Sequence, residues 1–156
     1  MSRFNFGSLK LSVRNLAMLA LLAATPLLGF AKDAALVVAK NSKVTAIQSA
    51  AFMKAFKSAP ARLDGEEIVL VVKSLDAPET KVVGSKLLVQ TPEGLIEAAA
   101  KRTIIVVNSD DEVIKVVGTV PNAVGVVDVY SITGAIKVVK VDGKLPLEPG
   151  YLLRYE

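Results

Sequence analysis

The chain has 156 residues, 19 basic and 15 acidic, and a formal charge of +4; it contains no Cys, His or Trp. This length suits one domain of ordinary size. The absence of His and Cys excludes Ser-His-Asp and Cys-His catalysis and the common zinc and copper sites, so we expect neither an enzyme nor a cofactor. Nucleic acid is not an expected partner either, because no basic patch with stacking aromatic residues is present.

The first 31 residues have the form of a secretory signal peptide. Basic residues precede an apolar run, 16–30, and Gly29 and Ala31 are the small residues that a cleavage site requires. The run is short for a spanning helix and Pro26 interrupts it, although an uncleaved membrane anchor is the alternative. We expect cleavage after Ala31 and a periplasmic or secreted domain, residues 32–156. Its charge is close to balanced, because the leader removes three basic residues and no acid.

The mature chain begins with an apolar run, 35–39, that predicts a buried first strand. A polar loop containing Ser42 follows. Thr45 is a candidate cap for the next helix, whose apolar stripe includes Phe52 and Phe56 at helical spacing. We interpret the two aromatic residues as part of the core.

The second predicted strand, 67–73, leads into a helix that starts at Pro78. Residues 81–90 are ambiguous, because their apolar spacing fits a helix but Gly84 weakens it. Thr91, followed by a proline, predicts the start of another helix.

The most informative stretch is 108–129, which predicts a loop, a helix, a tight turn and a strand. Ser109 and Glu112 form the S-x-x-E capping box, in which each side chain accepts a bond from a backbone N–H of the first turn. Pro121 ends the helix, because proline cannot continue it. The apolar strand that follows contains Gly125, which allows a close approach of another backbone element.

Three consecutive acids, Asp110, Asp111 and Glu112, lie at the start of this helix. They place negative charge at the positive end of the helix dipole. A carboxylate site for Ca²⁺ or Mg²⁺ is the alternative interpretation, but helix capping accounts for the acids and we expect no metal.

Two further runs, 103–107 and 135–141, complete the predicted strands, and a turn at Asp142 and Gly143 closes the last one. The order of elements is β-α-β-α-α-β-α-β-β. This alternation predicts an α/β fold, a largely parallel sheet with helices on both faces.

The segment 109–127, S-D-D-E-V followed by P-N-A-V-G-V-V, resembles a segment of phosphate-type periplasmic substrate-binding proteins that reads S-D-x-E-V, a short helix and P-G-A-I-G-Y. The resemblance continues through 139–151, V-K-V-D-G-K-L-P-L-E-P-G-Y, as in small domains of this family. Asn122 replaces the usual Gly, and Val126 replaces the usual Tyr. The resemblance implies a single lobe of the periplasmic-binding-protein type II kind over residues 32–156.

Four hydroxyl side chains follow predicted strands and are candidate ligands of an oxyanion: Ser42, Ser74, Thr80 and Ser109. Helix N-termini with nearby hydroxyls bind phosphate and sulfate, and ligands of α/β sheets collect at the carboxyl ends of strands. We expect the first three to form the site, because their loops follow neighbouring strands in the predicted topology. Ser109 should contribute less, because the adjacent acids repel an anion. Each hydroxyl could instead only cap a helix.

Two functions fit these observations. The first is an exported solute-binding protein of the phosphate ABC-transporter type, which binds phosphate or a similar small oxyanion. The alternative is a binding-protein-derived module that has lost its ligand and serves as an interaction domain of the cell envelope. An inner-membrane ABC permease and a second copy of the chain, forming a homodimer, are the candidate protein partners.

Overall fold

The computed structural model describes residues 31–156. The predicted signal peptide therefore lies outside the described residues except for Ala31, and its cleavage stays a prediction. Within residues 31–156, no helix is long and apolar enough to cross a membrane.

A six-stranded sheet forms the centre of the described domain, with the order β10-β1-β7-β5-β6 and with β8 also paired to β1. Two short ribbons, β2 with β9 and β3 with β4, lie beside it. The strands are β1 Lys32–Ala39, β2 Ala46–Ile47, β3 Arg62–Leu63, β4 Glu66–Glu67, β5 Val69–Lys73, β6 Ile104–Val107, β7 Ala123–Asp128, β8 Ile136–Val138, β9 Lys140–Val141 and β10 Arg154–Tyr155.

Strand direction divides this sheet into two parts. Strands β7, β5 and β6 are parallel, whereas β1 is antiparallel to β7, β8 and β10. The predicted α/β class and the parallel centre of the sheet are confirmed. The expectation that the first two long strands are neighbours was wrong, because β7 lies between β1 and β5. We call the end where β5, β6 and β7 finish the carboxyl edge, and the opposite end, where β1 finishes, the amino edge.

Four helical segments and one short 3-10 helix, Val129–Ser131, connect the strands of the described residues. The four segments are α1 Ser49–Ala55, α2 Pro78–Val82, which continues as a π-helix over Val83–Leu88, α3 Pro92–Ala100 and α4 Asp110–Thr119. Helices α3 and α4 begin after their predicted caps, Thr91 and Ser109. Thr45 does not cap α1, because the chain first forms β2 and the helix begins after Gln48, whose side chain makes no capping bond.

Buried side chains form two clusters, and the side chains of β1 alternate between them. Leu36 belongs to the larger cluster with Phe52 and Phe56, whose ring centroids are 4.8 Å apart. Val37 belongs to the smaller cluster with Val113 of α4. The aromatic pair is therefore a core feature, as predicted.

Gly125 fixes α4 against the sheet. A Cβ at this position would lie 2.7 Å from Val113 Cγ1 and 2.7 Å from Val117 Cγ2, so only glycine allows this approach. The close contact predicted from the sequence is confirmed. As a result, α4 lies against the sheet with its first turn at the carboxyl edge and its last turn at the amino edge.

The C-terminal segment covers the start of β1. The Ala34 N–H donates to the Leu153 carbonyl at 2.9 Å, and the Tyr151 hydroxyl donates to the Ala34 carbonyl at 2.9 Å. Strand β10 then pairs with Lys32 and Asp33. The first and last described strands are therefore side by side.

Candidate functional site

A charged cluster lies at the carboxyl edge of the sheet, centred on Lys73 at the end of β5. The Lys73 ammonium is 2.5 Å from Glu79 Oε1 and 3.1 Å from Asp110 Oδ1. The side chains of Glu79 and Asp110 are only 4% and 12% exposed, and that of Lys73 is 30% exposed. The bond to Glu79 is the largest contribution that raises the pKa of Lys73, so the lysine stays charged at neutral pH.

Asp110 is surrounded by donors on both carboxylate oxygens. Oδ1 pairs with Lys73, while Oδ2 accepts bonds from the Ser131 hydroxyl and, at 3.4 Å, from the Asp128 N–H. An ammonium group, a hydroxyl and a backbone N–H are the groups that bind oxyanions in proteins. The chain's own carboxylate therefore occupies a set of donors that could hold an anion.

Asp128 joins the same edge to β10. The Tyr155 hydroxyl donates to Asp128 Oδ2 at 2.9 Å, and the Tyr130 N–H donates to Asp128 Oδ1 at 2.9 Å. Burial, followed by the bond to Asp128, raises the pKa of Tyr155. The phenol therefore remains a protonated donor over the physiological range.

A second ion pair, Asp33 with Arg154, lies on the β1 and β10 side of this edge. Arg154 Nε donates to Asp33 Oδ1 at 2.8 Å, Nη2 donates to Oδ2 at 3.2 Å, and the Leu147 N–H also donates to Oδ2. Burial alone would raise the pKa of Asp33, but these bonds outweigh it and the pKa is lowered. The Arg154 guanidinium is therefore committed to a buried carboxylate.

Ser42 is not brought together with the other three predicted ligands. It follows β1, and β1 runs opposite to β5, so Ser42 lies at the amino edge. Its hydroxyl oxygen accepts a bond from the Val44 N–H at 3.2 Å.

The structure places Ser74, Thr80 and Ser109 at the carboxyl edge, but each hydroxyl already has a partner. Ser74 Oγ accepts from the Asp76 N–H at 3.2 Å, and Thr80 Oγ1, which is buried, donates to the Lys73 carbonyl at 3.2 Å. Ser109 Oγ accepts from the N–H of the third helical residue at 3.2 Å. These bonds are those of local turns and caps, and a ligand role for the three residues stays a prediction.

The capping box at Ser109 is confirmed in most of its detail. Glu112 donates its N–H to Ser109 Oγ, and Glu112 Oε2 accepts from the Asn108 N–H at 2.8 Å. The carboxylate therefore reaches one residue beyond the cap itself. At the N-terminus of α4, one N–H group, that of Glu112, is therefore bonded to a side chain, and the three acids of the first turn compensate the dipole.

Sequence reasoning missed the cluster of Lys73, Glu79 and Asp110. A signal was present, because Lys73 is the charged residue that ends an apolar strand and Glu79 lies in the first turn of the helix after it. The pairing with Asp110 depends on the adjacency of β5 and β6, which brings the start of α4 beside the end of β5.

Comparisons with known proteins give the fold class. The chain is similar to an ABC-type phosphate transport receptor from Vibrio cholerae, with 17% identity and a TM-score of 0.58 over 80% of this chain and 54% of that chain. It is similar to PstS from Borrelia burgdorferi, with 14% identity and a TM-score of 0.57 over 81% of this chain and 55% of that chain. No protein-family model and no curated protein sequence matches significantly.

A third similar structure is a putative phosphate ABC transporter substrate-binding protein with bound phosphate from Clostridium perfringens. Its identity is 15% and its TM-score is 0.57, over 80% of this chain and 53% of that chain. The described domain thus has the fold of ABC-transporter substrate-binding proteins, and the family resemblance noted in the sequence is confirmed at the level of the fold. The chain spans about half the length of the solved structures that it matches.

Proposed function

We propose that this chain is an exported solute-binding protein of the phosphate ABC-transporter type, and that it binds phosphate or a similar small oxyanion without catalysing a reaction. The observation that carries the proposal is the position of Lys73, Ser74 and Ser109. They lie together at the carboxyl ends of parallel strands, in the fold that the phosphate-binding neighbours share. Ligands of open α/β sheets bind at this end.

The carboxylates of the edge favour a protonated oxyanion. Glu79, Asp110 and Asp128 together outnumber the single ammonium of Lys73, and they repel an anion that has no hydrogen to donate. Phosphate carries at least one P–OH group at neutral pH, and this group can donate to a carboxylate. Sulfate has none under these conditions, so phosphate should be preferred.

Export, delivery and assembly belong to the same proposal. The leader is removed after Ala31, and residues 32–156 form one lobe of the type II kind, with helices on both faces of its sheet, in the periplasm or outside the cell. An inner-membrane ABC permease receives the solute. A homodimer whose carboxyl edges face each other would enclose a ligand that one open edge leaves partly hydrated. The intact mass of the exported protein tests the cleavage, and a mass that retains the first 31 residues would contradict it.

One observation favours a second candidate, a ligand-free interaction module of the cell envelope. The Lys73 ammonium is paired with two carboxylates, and the hydroxyls of Ser74, Thr80 and Ser109 are bonded within the chain. An anion must displace Asp110 or insert beside it in order to reach the ammonium. If the free energy that this rearrangement costs exceeds the free energy that the anion's contacts contribute, no anion binds and the charged cluster is only a structural ion-pair network.

Calorimetry with phosphate and with sulfate separates the two candidates. We expect heat with phosphate at millimolar concentration or below, and weaker heat with sulfate. Ser74→Ala should weaken phosphate binding. If binding is unchanged in this variant, the protein still binds phosphate but Ser74 is not part of the site. The absence of heat with both anions would reject the solute-binding proposal and leave the interaction module.

A paired variant locates the anion more sharply. Lys73→Met combined with Glu79→Gln removes the ammonium and its closest carboxylate together, so that the carboxylate of Glu79 is not left buried without its cation, while Asp110 keeps its bonds from Ser131 and the Asp128 N–H. We expect this variant to lose phosphate binding. The matched control is Lys101→Met with Glu97→Gln, an exposed pair that is also 2.5 Å apart but lies on α3 before β6. The control should bind like the unchanged protein.

A further inference from the structure

A cavity of about 450 Å³ lies at the amino edge of the sheet, on the opposite side from the proposed anion site. It is enclosed by the last turn of α4, the hairpin of β3 and β4, and the loop after β1. Buried apolar side chains, including Ile47, Ile68 and Val124, line its inner part. Its volume lies within the range of about 300–1,000 Å³ that small-ligand pockets occupy.

The charged side chains that line this cavity are exposed carboxylates, and its other polar side chains, Asn41, Ser42, Thr119 and Asn122, are neutral. Asp64 and Glu66 line it, and no Lys or Arg does. Within residues 31–156, neither carboxylate forms an ion pair. One donor, the side-chain amide of Asn122, reaches Glu66 Oε2 at the long distance of 3.5 Å.

The end of α4 adds backbone acceptors. The Val117 carbonyl has no donor four residues later, because that residue is Pro121 and lacks an N–H. The Ala123 N–H, which lies four residues after Thr119, donates to the Val120 carbonyl at 3.3 Å. The Thr119 carbonyl therefore has no helical donor either. Carbonyl groups at a helix C-terminus carry partial negative charge and favour a cation.

Gly118 has no conformational or packing reason to be glycine. It lies inside α4 and lines the cavity, its φ is not positive, and a Cβ there would meet nothing within 4 Å. Glycine is unfavourable within a helix, so its presence calls for another reason. Its effect here is to leave open space in the cavity wall beside the carbonyl groups.

We propose that the amino-edge cavity is a second binding site, which takes a small organic ammonium ion with a short apolar chain. The ammonium group would lie between the two carboxylates and the end of α4, and the apolar chain would contact the inner wall. A metal ion is a poorer fit, because residues 31–156 contain no cluster of three metal-ligating side chains. The two carboxylates repel an oxyanion, and the Lys137 ammonium beside the loop after β1 is already bonded to the Ser42 carbonyl. This site does not depend on phosphate binding at the other edge.

The probe is butylammonium, with 1-butanol as the neutral analogue of the same length. Amide chemical shifts of the ¹⁵N-labelled protein are followed during each titration. We expect butylammonium to shift the amides of Gly118, Thr119 and Asn122, and to bind at least about tenfold more tightly than butanol, since hydrogen bonds to charged groups are the stronger ones. Equal binding of the two probes, or shifts confined to another surface, would overturn the proposal.

Two variants test the source of the selectivity. Asp64→Asn with Glu66→Gln keeps the shape of the site and removes its charge, and it should reduce the preference for butylammonium over butanol by about tenfold or more. Glu67→Gln is the matched control, because Glu67 is on the same strand but does not line the cavity. The control should keep the preference. If Glu67→Gln lowers it as much, the effect is one of overall charge and the proposal fails.

Gly118→Leu tests the same site by volume. Leucine suits a helix, so the fold is retained, and its side chain would fill the open part of the wall. We expect both butylammonium and butanol to lose binding. Unchanged binding in this variant would place the ligand elsewhere. Phosphate binding should be unaffected in every variant of this cavity. Failure of the ammonium-site proposal is therefore distinguishable from failure of the phosphate-binding proposal.

Discussion

The two ends of α4 differ in whether their polar groups are bonded to other groups of the chain. At its N-terminus, Ser109 and Glu112 accept backbone N–H groups, and Asp110 is bonded to Lys73. At its C-terminus, Pro121 has no N–H to donate, and the carboxylates of Asp64 and Glu66 form no ion pair within residues 31–156. One end is thus closed by the chain itself, and the other presents acceptors to a cavity.

The polar groups at one end of the helix therefore stabilise the fold, and those at the other end are available to a ligand. Groups that are bonded within the chain stabilise the fold, and a ligand must displace them to bind. Groups that face a cavity without partners contribute little to stability and are available for recognition. Substitutions at the closed end should therefore lower the free energy of unfolding, and a substitution at the open end should leave it unchanged or raise it.

The largest expected effect follows Lys73→Met at the closed end. The substitution leaves Glu79 and Asp110 as partly or fully buried carboxylates without their cation, which should cost about 3 kcal/mol of unfolding free energy. Urea unfolding measures the loss. Lys101→Met, in an exposed pair, should cost under about 1 kcal/mol. Equal losses in the two variants would contradict the closed-end interpretation.

The same variant has a pH signature. The pKa of Lys73 is raised, chiefly by its bond to Glu79. A raised lysine pKa stabilises the fold fully below the unfolded value and ceases to do so as the pH rises through the folded value. The advantage of the unchanged protein over Lys73→Met should therefore be constant near neutral pH and should fall above the ordinary lysine pKa of 10.5.

Gly125→Ala should have the next largest effect, because it moves α4 as a whole. The new methyl group would lie 2.7 Å from both Val113 Cγ1 and Val117 Cγ2, and such overpacking costs about 2 kcal/mol. Gly134→Ala is the control, because a Cβ there meets nothing within 4 Å. An unchanged urea midpoint for Gly125→Ala would show that the helix can shift freely on the sheet.

Ser109→Ala should cost about 1 kcal/mol, the usual loss for an N-cap. Glu112→Ala should cost less, and the two losses should not be additive, because both side chains hold the same turn. A double-mutant cycle in urea measures the coupling. Strict additivity would contradict the description of the two residues as one capping box.

The smallest expected effect has the opposite sign. Gly118→Ala at the open end should stabilise the protein by about 0.5–1 kcal/mol, because alanine favours the helix and meets no other atom. A rise in the urea midpoint without a change in the slope of the transition would confirm this. A loss of stability would show that the open wall has a structural role.

Much of the fold could be predicted from the sequence because its signals are local. The caps at Thr91 and Ser109 and the end of α4 before Pro121 each depend on residues within one helical turn, and the close approach at Gly125 depends on the size of one residue. The parallel centre followed from the alternation of strands and helices.

The direction of β1 could not be predicted in this way. Its apolar run, 35–39, fits a buried strand that points either way, and direction is decided by strands more than eighty residues later. The predicted site combined Ser42 with Ser74 and Thr80 for this reason. Lys73 and Asp110 meet only after β5 and β6 pair, so no spacing in the sequence indicated that these two residues form an ion pair.

The pairing of β1 also has a consequence for the order in which the described domain folds. This strand is the first of the described domain to be made, and its hydrogen-bonding partners, β7, β8 and β10, are all near the end of the chain. The β1 side of the sheet cannot form until these three later strands have been made. Contacts of such long sequence separation slow folding. We therefore expect β1 to be among the last strands to be fixed in the sheet, although it is the first strand of the described domain to be made.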